Sequence, residues 1–159
     1  MEILSANTEE AEAIAFIISE ANKDIAELFG LTLDNAPKHP SFYTKNWVLS
    51  DYKRGEEYFL YRHKEIPVGC IAFEQPDPDT AYLNRLSVLP EYRHSGIGAS
   101  LVNHVLAYSK DRNIRVVSIG IIAEHTVLKK WYLKLGFTEG ISRKFNHLPF
   151  NVTYMSYAL

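Results

Sequence analysis

The stretch Leu86–Leu106, LSVLPEYRHSGIGASLVNHVL, decides how the rest of the chain is read. It opens as an apolar strand, breaks at Pro90, turns through Arg93-His94-Ser95-Gly96-Ile97-Gly98 and runs into an amphipathic helix. The first N–H groups of a helix have no internal partners, and the helix dipole places partial positive charge there. Two glycines let the backbone close around an anion without Cβ atoms in the way. Arg93 adds a permanent cation with a planar donor fork. Strand, turn and helix start together read as a seat for a pyrophosphate.

Outward from this stretch, the chain punctuates itself. Towards the N-terminus, Asn7 with Glu10 predicts a helix start, and apolar residues recur at helical spacing from Ala11 to Leu28, with Gly30 as the stop. A proline-bearing loop, 31–40, precedes a shorter helix around Thr44–Tyr52. The period then changes to two: strands are predicted over 57–62, 68–74 and 80–89, with an acidic, proline-rich loop over 75–79. Beyond the quoted stretch, the β-branched run 115–123 predicts a fully buried strand, and strand–helix–strand order predicts a right-handed parallel crossover. A helix over 124–135 ends at Gly136, and a hairpin closes the chain, with arms near 137–145 and 150–158 and a turn at 146–149. The expected class is α+β: a mixed, mostly antiparallel sheet with one parallel βαβ step, helices on both faces and a C-terminal β-hairpin.

The 159 residues suit one domain, 1–159. Net charge of −2 argues against a broad nucleic-acid surface. Cys70 is the single cysteine, so an intrachain disulfide and a multi-cysteine zinc site are excluded, and its apolar neighbours predict an inert thiol. The six histidines show no HxxxH pair, so no metal is expected. The start, MEILSANTEEAEAIAF, lacks a basic n-region, and no apolar run approaches the ~18 residues of a membrane span, so a cytoplasmic protein without membrane contact is expected.

G-x-G alone is weak evidence. The dinucleotide fingerprint fails because Leu101 occupies its third glycine position, and no Gly-Lys-Ser/Thr follows as in a P-loop. What remains is R-x-x-G-x-G, Arg93 to Gly98, after a strand ending Val88-Leu89-Pro90. With Trp131-Tyr132-Leu133-Lys134-Leu135-Gly136-Phe137, similar to an L-Y-x-K-x-G-F ending of the last helix, the chain resembles the GNAT superfamily of acetyl-CoA-dependent N-acetyltransferases. The likeness covers nearly the whole chain, in matching element order.

That resemblance implies direct attack of an amine on the acetyl thioester, with acetyl-CoA as co-substrate and no metal. The pyrophosphate would sit on Arg93, His94, Ser95, Gly96, Ile97, Gly98 and Ala99. The pantetheine arm would pair with Leu86, Ser87 and Val88 like an added strand. The Val88 N–H would polarise the thioester carbonyl. Tyr132 matches the family tyrosine and would serve as general acid, its phenol protonated at neutral pH. Many relatives carry Asn where this chain has His125, an imidazole with one N–H to donate to pantetheine.

Glu74 and Glu124 are candidate bases; the strand before the glycine turn offers no carboxylate. Phe42, Tyr43, Trp47 and Tyr82 are candidate acceptor-site residues, with 75–79 and 146–149 as further walls. Asp77, Asp79 and Glu74 would make an acidic mouth favouring cationic acceptors. The expected partner is a small-molecule amine. The alternatives are a non-catalytic acyl-CoA-binding or sensor module and an acetyltransferase acting on a protein amine. Aromatic residues of the C-terminal hairpin leave monomer and homodimer open.

Overall fold

A computed structural model describes residues 2–159. Strands β1 (Glu2–Ser5), β2 (Glu57–His63), β3 (Ile66–Asp77) and β4 (Thr80–Val88) form an antiparallel meander. Helix α4 (Ile97–Asp111) then carries the chain to β5 (Val116–Ile122), which pairs parallel with β4. The last two strands, β6 (Thr138–Lys144) and β7 (Asn151–Ala158), complete a seven-stranded sheet of order β1-β2-β3-β4-β5-β7-β6. The C-terminal hairpin thus places its second arm, not its first, against β5. Helices α1 (Ala11–Ala21), α2 (Lys23–Leu28), α3 (Lys45–Lys53) and α5 (Thr126–Lys134) complete the fold.

Helices cover both faces, and the pleat of β3 shows which. A Cβ on Gly69 would lie 3.1 Å from Leu101 and 3.2 Å from Ile97, so that face belongs to α4. On the opposite face, Ser87, which stands across from Cys70, accepts a hydrogen bond from the Asn22 side chain at the end of α1. Ile14, Ile17 and Ile18 of α1 and Leu101, Val102 and Val105 of α4 are buried against the sheet between them. Cys70 is wholly buried there, and burial pushes its thiol up to about 12, which keeps it unreactive.

Three local expectations are corrected, and one strand has no counterpart among them. The apolar pattern from Ala11 to Leu28 is not one helix: it begins with a 3₁₀ turn at Thr8–Glu10, capped reciprocally by Asn7 and Glu10, and breaks at Asn22. Asn22 Nδ2 donates to the Ile18 carbonyl at 2.8 Å, the acceptor that the next turn of helix would need. Residues 75–79 are not a loop, because β3 runs to Asp77 and turns directly into β4 at Thr80. β5 alternates rather than being fully buried, with Gly120 exposed. The strand at Glu2–Ser5, paired to Phe59–Arg62, lacks a sequence signal because only its edge contacts the sheet and most of its side chains face solvent.

Candidate active site

The site lies where β4 and β5 part. They pair only from Thr80–Tyr82 to Val116–Ser118, while β5 stays paired with β7 as far as Ile122. Between Cys70 and Ala72 the β3–β4 register shifts, and Arg85 sits in the left-handed region with φ 51°. This bulge turns the end of β4 away from β5. The gap so opened is a cleft of about 690 Å³, a size suited to a small ligand.

The ladder fixes which backbone groups face the gap. Leu89 N–H donates to the Val68 carbonyl at 2.9 Å, so the next pair, Gly69 and Val88, is a non-hydrogen-bonded one. The N–H and C=O of Val88 therefore point away from β3 into the gap, where the carbonyl accepts Arg93 Nε at 3.4 Å, and Leu86 also lines the cleft. Ser87 points back to β3 and is buried.

At one end of the cleft, His94 (φ 62°) and Gly96 (φ 85°) both adopt left-handed backbone. This bends successive N–H groups towards one concavity at the start of α4. Arg93 N–H is taken by the Pro90 carbonyl, and Ser100 N–H by Gly96. The N–H groups from His94 through Ala99 bond to no described protein atom, so the free row runs from residue 94 to 99. Ser95 Oγ donates to the Tyr92 carbonyl at 2.6 Å, keeping its lone pairs available. The two glycines have different reasons. Gly96 needs its positive φ; a Cβ on Gly98 would lie 3.3 Å from the Trp131 ring, so Gly98 allows α5 to close on α4.

The Arg93 side chain does not reach into this concavity. Its guanidinium donates to Asp24 at 2.6 Å and to the Ala21 carbonyl, tying the turn to the end of α1 and the start of α2. Burial raises the Asp24 carboxyl, but the Arg93 hydrogen bond and charge overcome this and leave it lowered.

On the far wall, α5 begins at His125. Its Nδ1 accepts the Leu128 N–H at 3.4 Å, so the ring proton lies on Nε2. Burial holds the ring below the usual imidazole range although Asp24 opposes the shift, so it is neutral at pH 7. Tyr132 lines the same cleft and is 3% exposed. Its hydroxyl bonds to no described protein atom, yet no buried side-chain polar atom is left unpartnered among the described residues. The small exposed part of Tyr132 therefore includes the hydroxyl. Burial raises its pKa, keeping the phenol protonated.

The other sequence candidates lie elsewhere. Glu74 stands on β3 opposite Tyr82 and accepts from Asn84 at 3.2 Å; neither it nor Glu124 lines the cleft. Tyr82, Asp77 and Asp79 lie towards the β3–β4 hairpin. Asp79 and Val88 are separated by almost the whole of β4, roughly 30 Å at ~3.3 Å per residue. The acidic mouth is therefore not at the cleft. Phe42, Tyr43 and Trp47 lie at the start of α3 without lining the cleft; Tyr43 packs edge-on against Trp47 at 5.3 Å, donates to Asp51, and carries the Arg85 guanidinium over its ring at 5.5 Å, so of the three it reaches the Arg85 cluster. From that region, His39 and Pro40 line it instead.

Beneath the bulge is a cluster that sequence reasoning missed. Asp51 and Glu56, 1% and 3% exposed, surround the Arg85 guanidinium. Arg85 Nε donates to the Tyr58 hydroxyl at 2.8 Å, Nη2 to Glu56, and the Tyr58 hydroxyl to Asp51 at 2.6 Å. Arg54 pairs with both carboxylates, and Asn84 donates to Glu56 at 3.0 Å. Burial lowers Arg85, but the groups facing it more than offset this and keep it protonated. These residues are scattered over Asp51–Arg85, with no spacing to betray their meeting.

The acetyltransferase (GNAT) family profile matches residues 18–137. The chain belongs to this family. An uncharacterized N-acetyltransferase of Methanocaldococcus jannaschii is 30% identical over 100 residues, 58% of this chain and 43% of that protein. The matched region thus spans less than half the length of this curated relative. Among solved structures, the ribosomal-protein alanine N-acetyltransferase of Escherichia coli superposes with a TM-score of 0.78 at 18% identity, covering 99% of this chain and 92% of that one. An acetyltransferase of Salmonella typhimurium, solved with its cofactor acetyl-CoA, gives 0.71 at 19% identity, covering 100% and 94%. These likenesses establish the fold. No helix among the described residues is long and apolar enough to cross a membrane.

Proposed function

We propose that this protein is an N-acetyltransferase that moves an acetyl group from acetyl-CoA to the primary amine of a small molecule by direct attack. One observation carries the reading: a row of free backbone N–H groups, 94–99, and the unpartnered Tyr132 hydroxyl open onto the same cleft of a GNAT-family chain.

The residues divide the work. The concave row at His94–Ala99, with the helix dipole behind it, holds a pyrophosphate. Leu86 and Val88 offer main-chain groups to pantetheine amides, and His125 Nε2–H is a further donor. Acetyl-CoA supplies an activated acyl group as its thioester. The Val88 N–H polarises the acyl oxygen, a preorganised donor worth ~3 kcal/mol of barrier. The acceptor's C–N bond forms as the C–S bond breaks, and Tyr132 gives its proton to the leaving sulfur.

No carboxylate in the cleft is free to serve as base. The one acidic residue lining it, Asp24, is paired with Arg93. With no such carboxylate, the acceptor's proton passes to water. The test is thiol release from acetyl-CoA across a panel of small amines. Amine-dependent release with matching N-acetyl product is expected; acetyl-CoA binding without release across the panel would favour a sensor.

A further inference from the structure

The cleft has two faces with different chemistry. The glycine turn and Trp131 approach from the α4 face. Arg85 and His39 approach from the α1 face: Arg85 reaches the Tyr58 hydroxyl, Tyr58 stands opposite Ala72 on the Cys70 side of the sheet, and the turn bearing His39 packs on α1 and α2. With the first face given to the cofactor, the second is where an acceptor enters.

On that second face the polar groups are donors. Arg85 spends Nε on Tyr58 and Nη2 on Glu56, and its Nη1 has no protein partner. Because no buried side-chain polar atom lacks a partner among the described residues, Nη1 is open at the cleft that Arg85 lines. His39 Nδ1 accepts the Ser41 N–H at 3.2 Å and the Ser41 hydroxyl at 2.8 Å, so its proton lies on Nε2, also without a protein partner. Burial pushes His39 down to about 4, so it is a neutral donor at pH 7. The acidic groups around Arg85 and the cleft are Asp51 and Glu56, paired with Arg85 and Arg54, Asp24, paired with Arg93, and Glu74, which accepts from Asn84 and lies outside the cleft lining. A polyamine would find no free carboxylate lining the cleft, whereas an anion meets a fixed guanidinium braced on three sides.

We propose that the acceptor carries a carboxylate as well as its amine, with Arg85 Nη1 and His39 Nε2–H holding the carboxylate: the substrate class is amino acids. This rests on the acetyltransferase reading above and deepens it. Charge-assisted hydrogen bonds to a carboxylate are about twice as strong as neutral ones, enough for more than tenfold discrimination.

The experiment compares amines that differ only in the carboxylate: L-lysine with 1,5-diaminopentane and L-alanine with ethylamine, alongside alaninamide and an alanine-initiated tripeptide. For thiol release, kcat/KM at least tenfold higher for one amino acid than for its decarboxylated partner is expected. Arg85→Lys keeps the charge but loses the fork, and should collapse that preference through KM, with acetyl-CoA binding showing that the cleft is intact. His39→Gln should lower it several-fold if the lysine variant is unstable. A readout independent of turnover is binding of N-acetyl-L-alanine against N-ethylacetamide to the CoA-loaded protein, where the carboxylate should again give at least tenfold. Equal or better use of the decarboxylated amines, or of the amide or tripeptide, would overturn the proposal, as would equal binding of the two products. Failure of the catalytic reading shows separately, as absent thiol release with every amine.

Discussion

Arg93 Nη1 lies 2.6 Å from Asp24 Oδ2, joining the glycine turn to the first turn of α2 across 69 positions of sequence. The arginine that reads in sequence as a phosphate ligand ties the glycine turn to the helical layer in the fold. Both side chains are partly exposed, so the pair is worth at most ~1 kcal/mol. Asp24→Asn should therefore lower stability by no more than that. The carboxyl is lowered in the fold, so the contribution is full above the unfolded Asp value of ~3.9 and fades as pH falls through the folded value below it. Denaturant titrations of both proteins from pH 7 downward should draw together as the pH falls below ~3.9.

Tyr132→Phe removes only a hydroxyl that no protein group uses. Turnover should fall by roughly 10²–10⁴-fold, the range of general acid catalysis, while the dissociation constant for acetyl-CoA changes less than about threefold. Steady-state kinetics with calorimetry separates the two. Unchanged turnover would remove Tyr132 from the mechanism.

His125 caps α5 through Nδ1 and faces the cleft through Nε2. His125→Ala should cost ~1 kcal/mol of stability through the lost cap and weaken CoA binding. His125→Asn, which can cap and donate at once, should restore both. Thermal unfolding with and without CoA checks this.

Glu56 is buried against Arg85 and Arg54. Glu56→Gln should destabilise the protein by ~3 kcal/mol, because it leaves the largely buried Arg85 guanidinium with Asp51 alone as counter-charge. Chemical denaturation measures it; a loss below ~1 kcal/mol would mean the network is solvated.

What could be read from sequence was whatever repeats at short range. The period of two along β2–β4, the Asn7–Glu10 capping box and the R-x-x-G-x-G turn each carry their signal within a few residues. The break at Asn22 was hidden because the apolar pattern continues through it, and only a side-chain bond to Ile18 marks it. β1 was hidden because an edge strand with exposed side chains has no alternation to show. The acceptor face was the least legible part. Asp51, Glu56 and Arg85 meet only after the bulge at Arg85 turns β4, and His39 reaches the same cleft from the turn before α3; no local pattern encodes either placement. Composition alone does not locate an acceptor wall: the sheet places Tyr82, Asp77 and Asp79 towards its other end, while Tyr43 packs on the Arg85 guanidinium.

If the backbone N–H groups of His94–Ala99 hold the cofactor's pyrophosphate, an amide NMR titration of ¹⁵N-labelled protein reads each of them in turn. With CoA, the His94–Ala99 amides should shift strongly downfield, and S-acetylpantetheine, which lacks the pyrophosphate, should leave them in place while binding at least 100-fold more weakly. Equal affinity for the two ligands, or CoA binding that leaves these amides unmoved, would show that the pyrophosphate sits elsewhere.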